Sequence, residues 1–256
     1  MERRTVVGIG LDIGPHQAFV ERITILAREW RSSYVCIANA HMTVEAHRNP
    51  EFAEVLAGAD LVIPDGMSLV YTLRYLCGIR QERVAGFDLM LVLLKTAEAN
   101  GLTVFFYGET ESVLDKIVER LRREYPRLRL AGRFSPPFRS LTGAEEAQAI
   151  NAIKSSGAHL VLVALGCPKQ EYWMARQKSD VQAVMIGFGA ALSLFAGVRQ
   201  RAPEWMRRYC LEWLYRLGQE PSRLWRRYLV TNTLFLAYVG RELFARMVSR
   251  RTLTRD

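Results

Sequence analysis

Asp65 carries the carboxylate of this sequence that is best placed for acid–base chemistry. It follows the apolar run Leu61–Ile63 and Pro64, and it precedes Gly66 and a helix-length segment. Two interpretations are open from the residues alone. Asp65 could cap the following helix, because aspartate accepts hydrogen bonds from free helix amides. It could also be a general base that takes a proton from a hydroxyl group.

The densest group of polar side chains lies between Gly166 and Glu171. Pro168 suits the first turn of a helix, and Lys169, Gln170 and Glu171 then crowd the same helix N-terminus. A helix start needs only one capping residue, so three such side chains in a row favour a binding site. Gln170 could bind a hydroxyl or a diphosphate oxygen, and Lys169 could supply charge. Glu171 fits the acid that a first helical turn prefers.

Further polar or glycine-containing loops follow other predicted strands. Gly108 and Glu109 come after a strongly apolar strand, and the helix amides behind them could bind phosphate. Asn39 follows an earlier strand, and Gly189 lies in the glycine-rich turn after the last one. Arg83 stands in a polar loop, where it is either a solvated charge or part of a pocket.

Several kinds of cofactor site are missing from the sequence. It has no G-x-G-x-x-G motif and no Walker loop, and residues 7–10 lack the third glycine, which excludes a nicotinamide cofactor. The four histidines and four cysteines show no metal-ligand spacing, and there is no D-x-D motif. We therefore expect a site without a metal ion or cofactor. Widely separated cysteines favour a reducing, cytosolic setting.

Apolar, strand-like runs alternate with helix-length segments through residues 1–198. The predicted strands are Tyr34–Ala38, Leu61–Ile63, Thr103–Tyr107, Arg129–Ala131, Leu160–Leu165 and Ala183–Ile186. The predicted helices are His16–Arg31, Met67–Cys77, Asp88–Asn100, Ser112–Glu124, Ala144–Ser156 and Gln170–Lys178. Asp88 is expected to cap the third helix, and Thr142 and Glu145 to form a capping box at the fifth.

Runs that are apolar on both faces are typical of buried parallel strands, so the alternation predicts a doubly wound α/β domain. Ligands bind such sheets beyond the carboxyl ends of the strands. The loops that hold Asn39, Asp65, Gly108, Gln170 and Gly189 all leave predicted strands at that edge. We therefore expect these loops to form one site.

The last quarter of the chain differs from the rest in charge. Residues 199–256 hold 13 arginines and five acids, a net of +8, whereas residues 1–198 hold 22 basic and 21 acidic residues. Tryptophans, tyrosines and the apolar run Leu229–Gly240, which is too short to cross a bilayer, are interleaved with the arginines. We predict an α/β body over residues 1–198 and a basic, helical, membrane-binding appendage over residues 199–256.

Arg216, Arg223 and Arg226 are spaced so that a continuous helix would present them on one face. Pro221 is expected to interrupt that helix, so the alignment depends on the turn. An ordinary solvated charged face is the alternative. An isoelectric point of about 9.6 also keeps a nucleic-acid-binding module open, although the basic charge is confined to the appendage and no recognised binding motif occurs.

Seven short stretches, in a fixed order over nearly the whole chain, match one known family: Asn39–Met42, Ala59–Gly66, Glu82–Leu89, Leu165–Glu171, Arg201–Trp205, Leu211–Arg216 and Glu220–Arg223. They resemble glycosyltransferase family 26, the WecG/TagA/CpsF family of bacterial cell-surface polysaccharide transferases. The resemblance implies a Rossmann-like parallel-sheet core with a membrane-targeting appendage. It also implies an inverting, metal-independent transfer of a sugar from a UDP donor to an undecaprenyl-diphosphate-linked sugar.

The resemblance assigns roles to several residues. Asp65 matches the family's catalytic base, and Arg83 and Gln170 match conserved pocket residues. The appendage residues implied to contact the lipid diphosphate are Arg216, Arg223 and Arg226. The residues expected to bind the donor are Asn39, Gly108, Glu109, Phe138, Gly166, Pro168, Lys169 and Gly189.

Two departures from the family pattern bear on the donor. Leu192 and Ser193 stand where family members commonly have Phe-Asp, so an acid that could contact the nucleotide or sugar is missing. The usual Gly-Tyr-Phe is replaced in residues 135–138, where Phe138 alone remains as an implied contact to uracil. The donor sugar is therefore open.

The expected donor sugar is of the N-acetylmannosamine or N-acetylmannosaminuronic acid type. The alternative is a UDP-glucose-dependent β-glucosyltransferase of exopolysaccharide repeat-unit assembly, and a nucleic-acid-binding module is the remote alternative. The expected location is peripheral, on the cytoplasmic face of the bacterial inner membrane. We expect no nucleic-acid partner, and self-association into a homo-oligomer that protects apolar surface.

Overall fold

A computed structural model of the chain describes residues 1–139 and 141–253, with the side chains except those of Arg223 and residues 249–253. Its strands are β1 (Glu2–Val6), β2 (Ile9–Ile13), β3 (Ser33–Ala38), β4 (Leu61–Pro64), β5 (Thr103–Gly108), β6 (Arg129–Phe134), β7 (Leu160–Ala164) and β8 (Val184–Gly187). Its helices are α1 (His16–Arg28), α2 (Ala40–Arg48), α3 (Pro50–Ala57), α4 (Met67–Cys77), α5 (Gly86–Asn100), α6 (Glu111–Glu124), α7 (Gly143–Ser156), α8 (Lys169–Arg176), α9 (Ala191–Phe195), α10 (Glu204–Arg208), α11 (Glu212–Gln219) and α12 (Pro221–Leu253).

Six parallel strands form the central sheet, in the order β4-β3-β8-β7-β5-β6. Their carboxyl ends are aligned: Ala38 of β3 lies beside Pro64 of β4, and Cys36 lies beside Gly187 of β8. The predicted α/β class and parallel sheet are therefore confirmed. The chain crosses from β4 at one edge of the sheet to β5, on the far side of β3, β8 and β7. Because all these strands are parallel, the loops that follow them lie at the same end of the sheet.

Apolar side chains from both faces of the sheet are buried. One core lies between the sheet and α1, α5, α6 and α9, and includes Phe19, Leu93 and Phe195. The other lies between the sheet and α2, α3, α4, α7, α8 and α12, and includes Phe52 and Trp173. This three-layer arrangement explains why the strands of the sheet are apolar on both sides.

The hairpin of β1 and β2 covers the β4 edge of the sheet and was not predicted. β1 is exposed over Glu2–Thr5, so it lacks the apolar run that marks a buried strand. Its anchor is Asp12, which is buried, pairs with Arg3 at 2.9 Å and accepts a hydrogen bond from the Val62 amide of β4 at 2.7 Å. The hairpin thus satisfies part of an otherwise open sheet edge.

The appendage packs on the body in the described residues. Helix α12 lies against α2 and α4, and it buries Leu224, Thr231 and Phe235. Near its end, Arg246 donates to the Leu76 carbonyl at 2.5 Å, and the Val7 amide donates to Glu242 at 2.7 Å. The break between α11 and α12 falls at Glu220 and Pro221, as the sequence predicted.

None of the helices described in the structure has the length and apolar character that crossing a membrane requires. The domain boundary at residues 198 and 199 stays a prediction. At that point the amides of Val198 and Arg199 both donate to the Ser193 carbonyl, so the chain turns directly off the end of α9.

Candidate active site

A cleft of about 590 Å³ opens at the carboxyl ends of the strands, between the sheet and the appendage. It collects most of the side chains that the sequence singled out, namely Asn39, Asp65, Arg83, Glu109, Phe138, Gly166, Gln170, Gly189 and Arg216. Its outer wall comes from α11 and the first turns of α12. The site is therefore formed jointly by the two parts of the chain.

Asp65 faces the cleft and does not cap α4. The N-cap of α4 is Gly66, with φ 90°, and no side chain caps the helix amides. The Asp65 amide is held by the Ala38 carbonyl at 2.6 Å, and its carboxylate accepts a hydrogen bond from the Gly86 amide. Burial, followed by the negative charge of Glu212, raises the pKa of Asp65 to about 7. A carboxyl with that pKa can accept a proton near neutral pH.

Arg83 extends into the same cleft and pairs with the appendage. Its Nη2 donates to Glu212 Oε2 at 3.0 Å. Its Nε is buried and has no hydrogen-bond partner within the described part of the chain. Since buried donors are rarely left unpaired, this N–H is a candidate contact for a ligand oxygen.

Gln170 is held rigidly beneath the cleft. Its Oε1 accepts from the Gly166 amide at 3.2 Å, and its Nε2 donates to Glu171 Oε1 at 2.7 Å. A Cβ at Gly187 would lie 2.8 Å from Gln170 Nε2, so the glycine leaves room for this amide. Gln170 is buried, and little of it remains open to a ligand.

Glu171 lies in the first turn of α8 as predicted, but it is not a surface acid. It is fully buried, and its Oε2 has no hydrogen-bond partner among the described residues. Burial raises the pKa of Glu171 to about 7, although the hydrogen bond from Gln170 lowers it. This burial was not predictable from the residue pattern, because burial of an N-terminal helical acid depends on what packs over it.

The glycine loops are less open to phosphate than the sequence suggested. A Cβ at Gly108 would lie 2.4 Å from the Ala164 carbonyl, so this glycine serves the close approach of β5 to β7. The Glu109 amide already donates to that carbonyl at 3.3 Å. The Gly166 amide is engaged by Gln170. Side chains must therefore supply much of the charge compensation that we expected from helix amides.

Glu109 and Ser193 meet at the side of the cleft. Glu109 has a left-handed backbone, with φ 60°, and its Oε1 accepts a hydrogen bond from the Ser193 hydroxyl. A carboxylate is thus present beside position 193, although it comes from β5 rather than from α9. Phe138 lies nearby and is 82% exposed, so it is free to cover a bound group.

A second cavity of about 420 Å³ adjoins the cleft and shares Glu109 and Phe138 with it. Lys169 lines this second cavity and not the main cleft, together with the stacked rings of Tyr107 and Trp173, whose centroids are 4.3 Å apart. Asn39 lines the main cleft, but its Oδ1 is already used as the N-cap of α2. Pro168 is the N-cap residue of α8 and lines neither cavity.

The appendage arginines divide into two groups. Arg216 and Arg227 line the cleft, whereas Arg226 is exposed and its guanidinium lies 5.2 Å from the ring centre of Trp225. The side chain of Arg223 is outside the described residues. Arg216 has no ion pair or side-chain hydrogen bond within the described part of the chain. Its positive charge nevertheless acts on Asp65, whose pKa it lowers.

Two more cleft arginines, which the sequence did not single out, are paired with acids. Arg199 pairs with Glu220 at 2.9 Å, and Arg201 pairs with Asp88 at 2.6 Å. The prediction that Asp88 caps α5 was wrong, because the N-cap residue is Ala85. Asp88 lies within the first turn of α5, where it pairs with Arg201 at the start of the appendage.

No three His, Cys, Asp or Glu side chains come together to hold a metal ion among the residues that the structure describes. The charged groups at the cleft are instead arginines and carboxylates. Five arginines line it (Arg83, Arg199, Arg201, Arg216 and Arg227), against the four acids Asp65, Glu109, Glu212 and Glu220. Such a surface fits a ligand with several negative charges.

Residues 4–249 match the model of the glycosyl transferase WecG/TagA/CpsF family. A relative from Bacillus spizizenii strain W23 is 34% identical over 200 residues, covering 78% of this chain and 76% of the relative. A relative from Bacillus subtilis strain 168 is 32% identical over 199 residues, covering 76% and 74%. Both are named N-acetylglucosaminyldiphosphoundecaprenol N-acetyl-beta-D-mannosaminyltransferase. The chain therefore belongs to the WecG/TagA/CpsF family and is a glycosyltransferase.

Proposed function

We propose that this enzyme transfers a sugar of the N-acetylmannosamine type from a UDP donor to an undecaprenyl-diphosphate-linked sugar, in the synthesis of a cell-surface polysaccharide. The names of both relatives specify an acceptor and a transferred sugar of this kind. The observation that carries the proposal is the half-buried carboxylate of Asp65, which shares one cleft with Arg83 and Arg216.

The proposed reaction is a single displacement. Asp65 takes the proton of the acceptor hydroxyl, and the hydroxyl oxygen forms a bond to the anomeric carbon of the donor sugar. The bond from that carbon to the diphosphate oxygen breaks, and UDP leaves with the electron pair. Attack opposite the leaving group inverts the configuration, so an α-linked donor gives a β-linked product.

The leaving diphosphate needs positive charge, and the cleft offers it without a metal ion. The buried Nε of Arg83 is an unpaired donor within the described residues, and Arg216 and Arg227 line the same space. Guanidinium groups bind phosphate oxygens in pairs and keep their charge at any relevant pH. Metal independence is part of the proposal, and assays with and without EDTA test it.

The appendage is proposed to bind the cytoplasmic surface of the inner membrane, where the lipid-linked acceptor is found. Its exposed aromatic side chains include Trp205, Tyr209 and Trp225, which are 57%, 73% and 49% exposed. Aromatic rings beside arginines suit the boundary between lipid headgroups and acyl chains. Because α11 and α12 also wall the cleft, binding to the membrane and binding of the acceptor would occur at adjoining surfaces.

A second donor, UDP-glucose, is kept open by Ser193, because this residue stands where family members commonly have an acid. Glu109 brings a carboxylate to the same point through its hydrogen bond with Ser193. We propose that this pair accepts a hydroxyl or amide hydrogen of the donor. The choice between the two donors then depends on which sugar forms a hydrogen bond with this pair.

The decisive experiment incubates the purified protein with a panel of UDP-sugars and a short-chain lipid-diphosphate acceptor, and weighs the products. We expect a product heavier by one N-acetylhexosamine, made equally well in EDTA. Transfer of glucose alone would favour the alternative donor, and no transfer from any UDP-sugar would contradict the proposal.

Asp65→Asn is expected to reduce turnover by about 1,000-fold or more, because the general base is lost, and to leave UDP binding within about twofold. UDP binding is measured by calorimetry on the same samples. Turnover within tenfold of the unchanged enzyme would remove Asp65 from the role of base.

A further inference from the structure

Glu212 is the first helical residue of α11 and reaches across the cleft from the appendage to the body. Its Oε2 accepts a hydrogen bond from Arg83 Nη2 at 3.0 Å, with the two side chains 38% and 21% exposed. Through this ion pair, α11 is joined to the loop that precedes α5. No sequence feature suggested a role for this acid.

The charged groups that face Asp65 come from two parts of the chain. The body supplies Arg83 and the Gly86 amide, and α11 supplies Glu212 and Arg216. Burial opposes ionisation of the Asp65 carboxylate most, and Glu212, the one negative group among these, opposes it as well. Glu212 also occupies one edge of Arg83, which would otherwise be free to turn towards Asp65 and stabilise its charge.

We propose that Glu212 is a positioning residue of the catalytic centre, which holds Arg83 by an ion pair and places a negative charge beside Asp65. The inference rests on the proposed function of Asp65 as the base. In this arrangement Arg83 is held by its partner, and Asp65 is a strong enough base to accept a proton near neutral pH.

The test is the pH dependence of kcat/KM for Glu212→Gln. Glutamine keeps an oxygen that accepts from Arg83 but removes the negative charge beside Asp65. The acid limb of the profile, which reports ionisation of the base, is expected to move to lower pH by about one unit. The ratio of kcat/KM at pH 6 to that at pH 8 should then rise about fivefold.

Two further variants separate this role from simple tethering. Asp88→Asn breaks the Arg201 ion pair, which also joins the body to the segment before α10, but Asp88 is not among the groups that face Asp65. The acid limb of the kcat/KM profile of Asp88→Asn is expected at the same pH as in the unchanged enzyme. Glu212→Asp keeps the charge and is expected to return the limb towards that position.

An unmoved acid limb in Glu212→Gln, with kcat/KM lowered equally at every pH, would overturn the inference and leave Glu212 as a tether. Thermal melting of each variant identifies a fold that has been lost, in which case Glu212→Ala, which also removes the negative charge, carries the test. Failure of the proposed function is recognised separately, because Asp65→Asn would then keep its activity and its acid limb.

Discussion

Asp65 and Glu171 are two carboxyl groups at the end of one sheet. Both have a raised pKa, but they lie in different surroundings. Burial raises the pKa of each to about 7. Asp65 opens into the cleft and can meet a hydroxyl, whereas Glu171 lies fully buried under Gln170 and contacts the amide of that residue. One is therefore suited to proton transfer, and the other to holding a neighbouring side chain in place.

Glu171→Gln is expected to stabilise the fold at pH 8. The folded-state pKa of Glu171 is raised from 4.5 to about 7, so between these values the folded state binds more protons than the unfolded state. The contribution of this carboxyl group to the free energy of unfolding is fully present below pH 4.5, and it is lost as the pH rises through 7. Glutamine has no such loss, so its advantage should be on the order of 2 to 3 kcal/mol at pH 8 and should vanish near pH 4. Denaturant unfolding at both pH values measures it.

Glu145→Gln is the matched control, for which the expected change in stability at pH 8 has the opposite sign. This exposed acid completes the capping box of α7 and pairs with Arg139 at 2.6 Å, and the pKa of Glu145 is lowered to about 2, first by the Arg139 hydrogen bond. Its contribution is present above pH 4.5, so the glutamine variant should be less stable than the unchanged protein at pH 8. A Glu171→Gln variant that is destabilised to the same extent at pH 8 would show that its ionised form is well satisfied in the fold.

At this scale the sequence could name candidate residues but not their surroundings. Asp65 had two interpretations, and only the position of Gly66 as the N-cap separates them. Glu212 was overlooked because its partner Arg83 is distant along the chain, and Glu171 was placed correctly in the first turn of α8 but its burial was not predicted. Asp88 was misassigned because an ion pair to Arg201, more than a hundred residues away, competes with capping.

Among the elements, the break between α11 and α12 decides which arginines reach the cleft. Arg216 lies on α11, so a continuous-helix pattern cannot relate it to residues beyond Pro221. Successive residues on α12 are 100° apart around the helix axis, and Arg227 therefore faces the cleft while Arg226 points to solvent beside Trp225. Under the proposed function, we expect Arg227 to take the lipid-diphosphate role that the family resemblance implied for Arg226.

Arg227→Ala and Arg226→Ala form a matched pair of adjacent substitutions with the same change of charge. Loss of a charge-assisted hydrogen bond to the diphosphate should lower kcat/KM for the lipid-linked acceptor by about 10- to 100-fold in Arg227→Ala. Arg226→Ala should stay within about threefold. Steady-state kinetics with varied acceptor measures both, and equal losses in the two variants would count against the helix-face assignment.

The helices and strands differ in how strongly their sequence patterns predict them. Five of the six parallel strands were predicted from apolar runs that are buried on both faces, whereas the edge strand β6 is partly exposed. Thr142 with Glu145 marked the start of α7 by a capping box that the structure contains. The β1–β2 hairpin was not predicted, since its first strand is charged and exposed and is held by one buried acid. Helices α2 and α3 were also missed, although Asn39 and Asn49 cap them.

For the whole molecule, the separation of charge is the feature with functional meaning. A body with 22 basic and 21 acidic residues carries an appendage of net +8. The outer side of α12 exposes Leu229, Leu236 and Phe244, which are 63%, 69% and 65% exposed, while its inner side buries Phe235. Cations and apolar side chains on one outward surface are the combination that binds anionic membranes from one side.

The double substitution Leu236→Ser and Phe244→Ser is therefore expected to weaken binding to vesicles that contain anionic lipid. Removing two apolar side chains that would enter the interface costs about 3 kcal/mol, or roughly a hundredfold in partition coefficient. Flotation measures it, with Leu130→Ser as the control, because Leu130 is an exposed leucine of β6 on the body. Activity on a water-soluble, short-chain acceptor should be unchanged, since neither residue lines the cleft. If the double variant floats as well as the control, the exposed side of α12 does not meet the lipid, and another surface must bring the cleft to its acceptor.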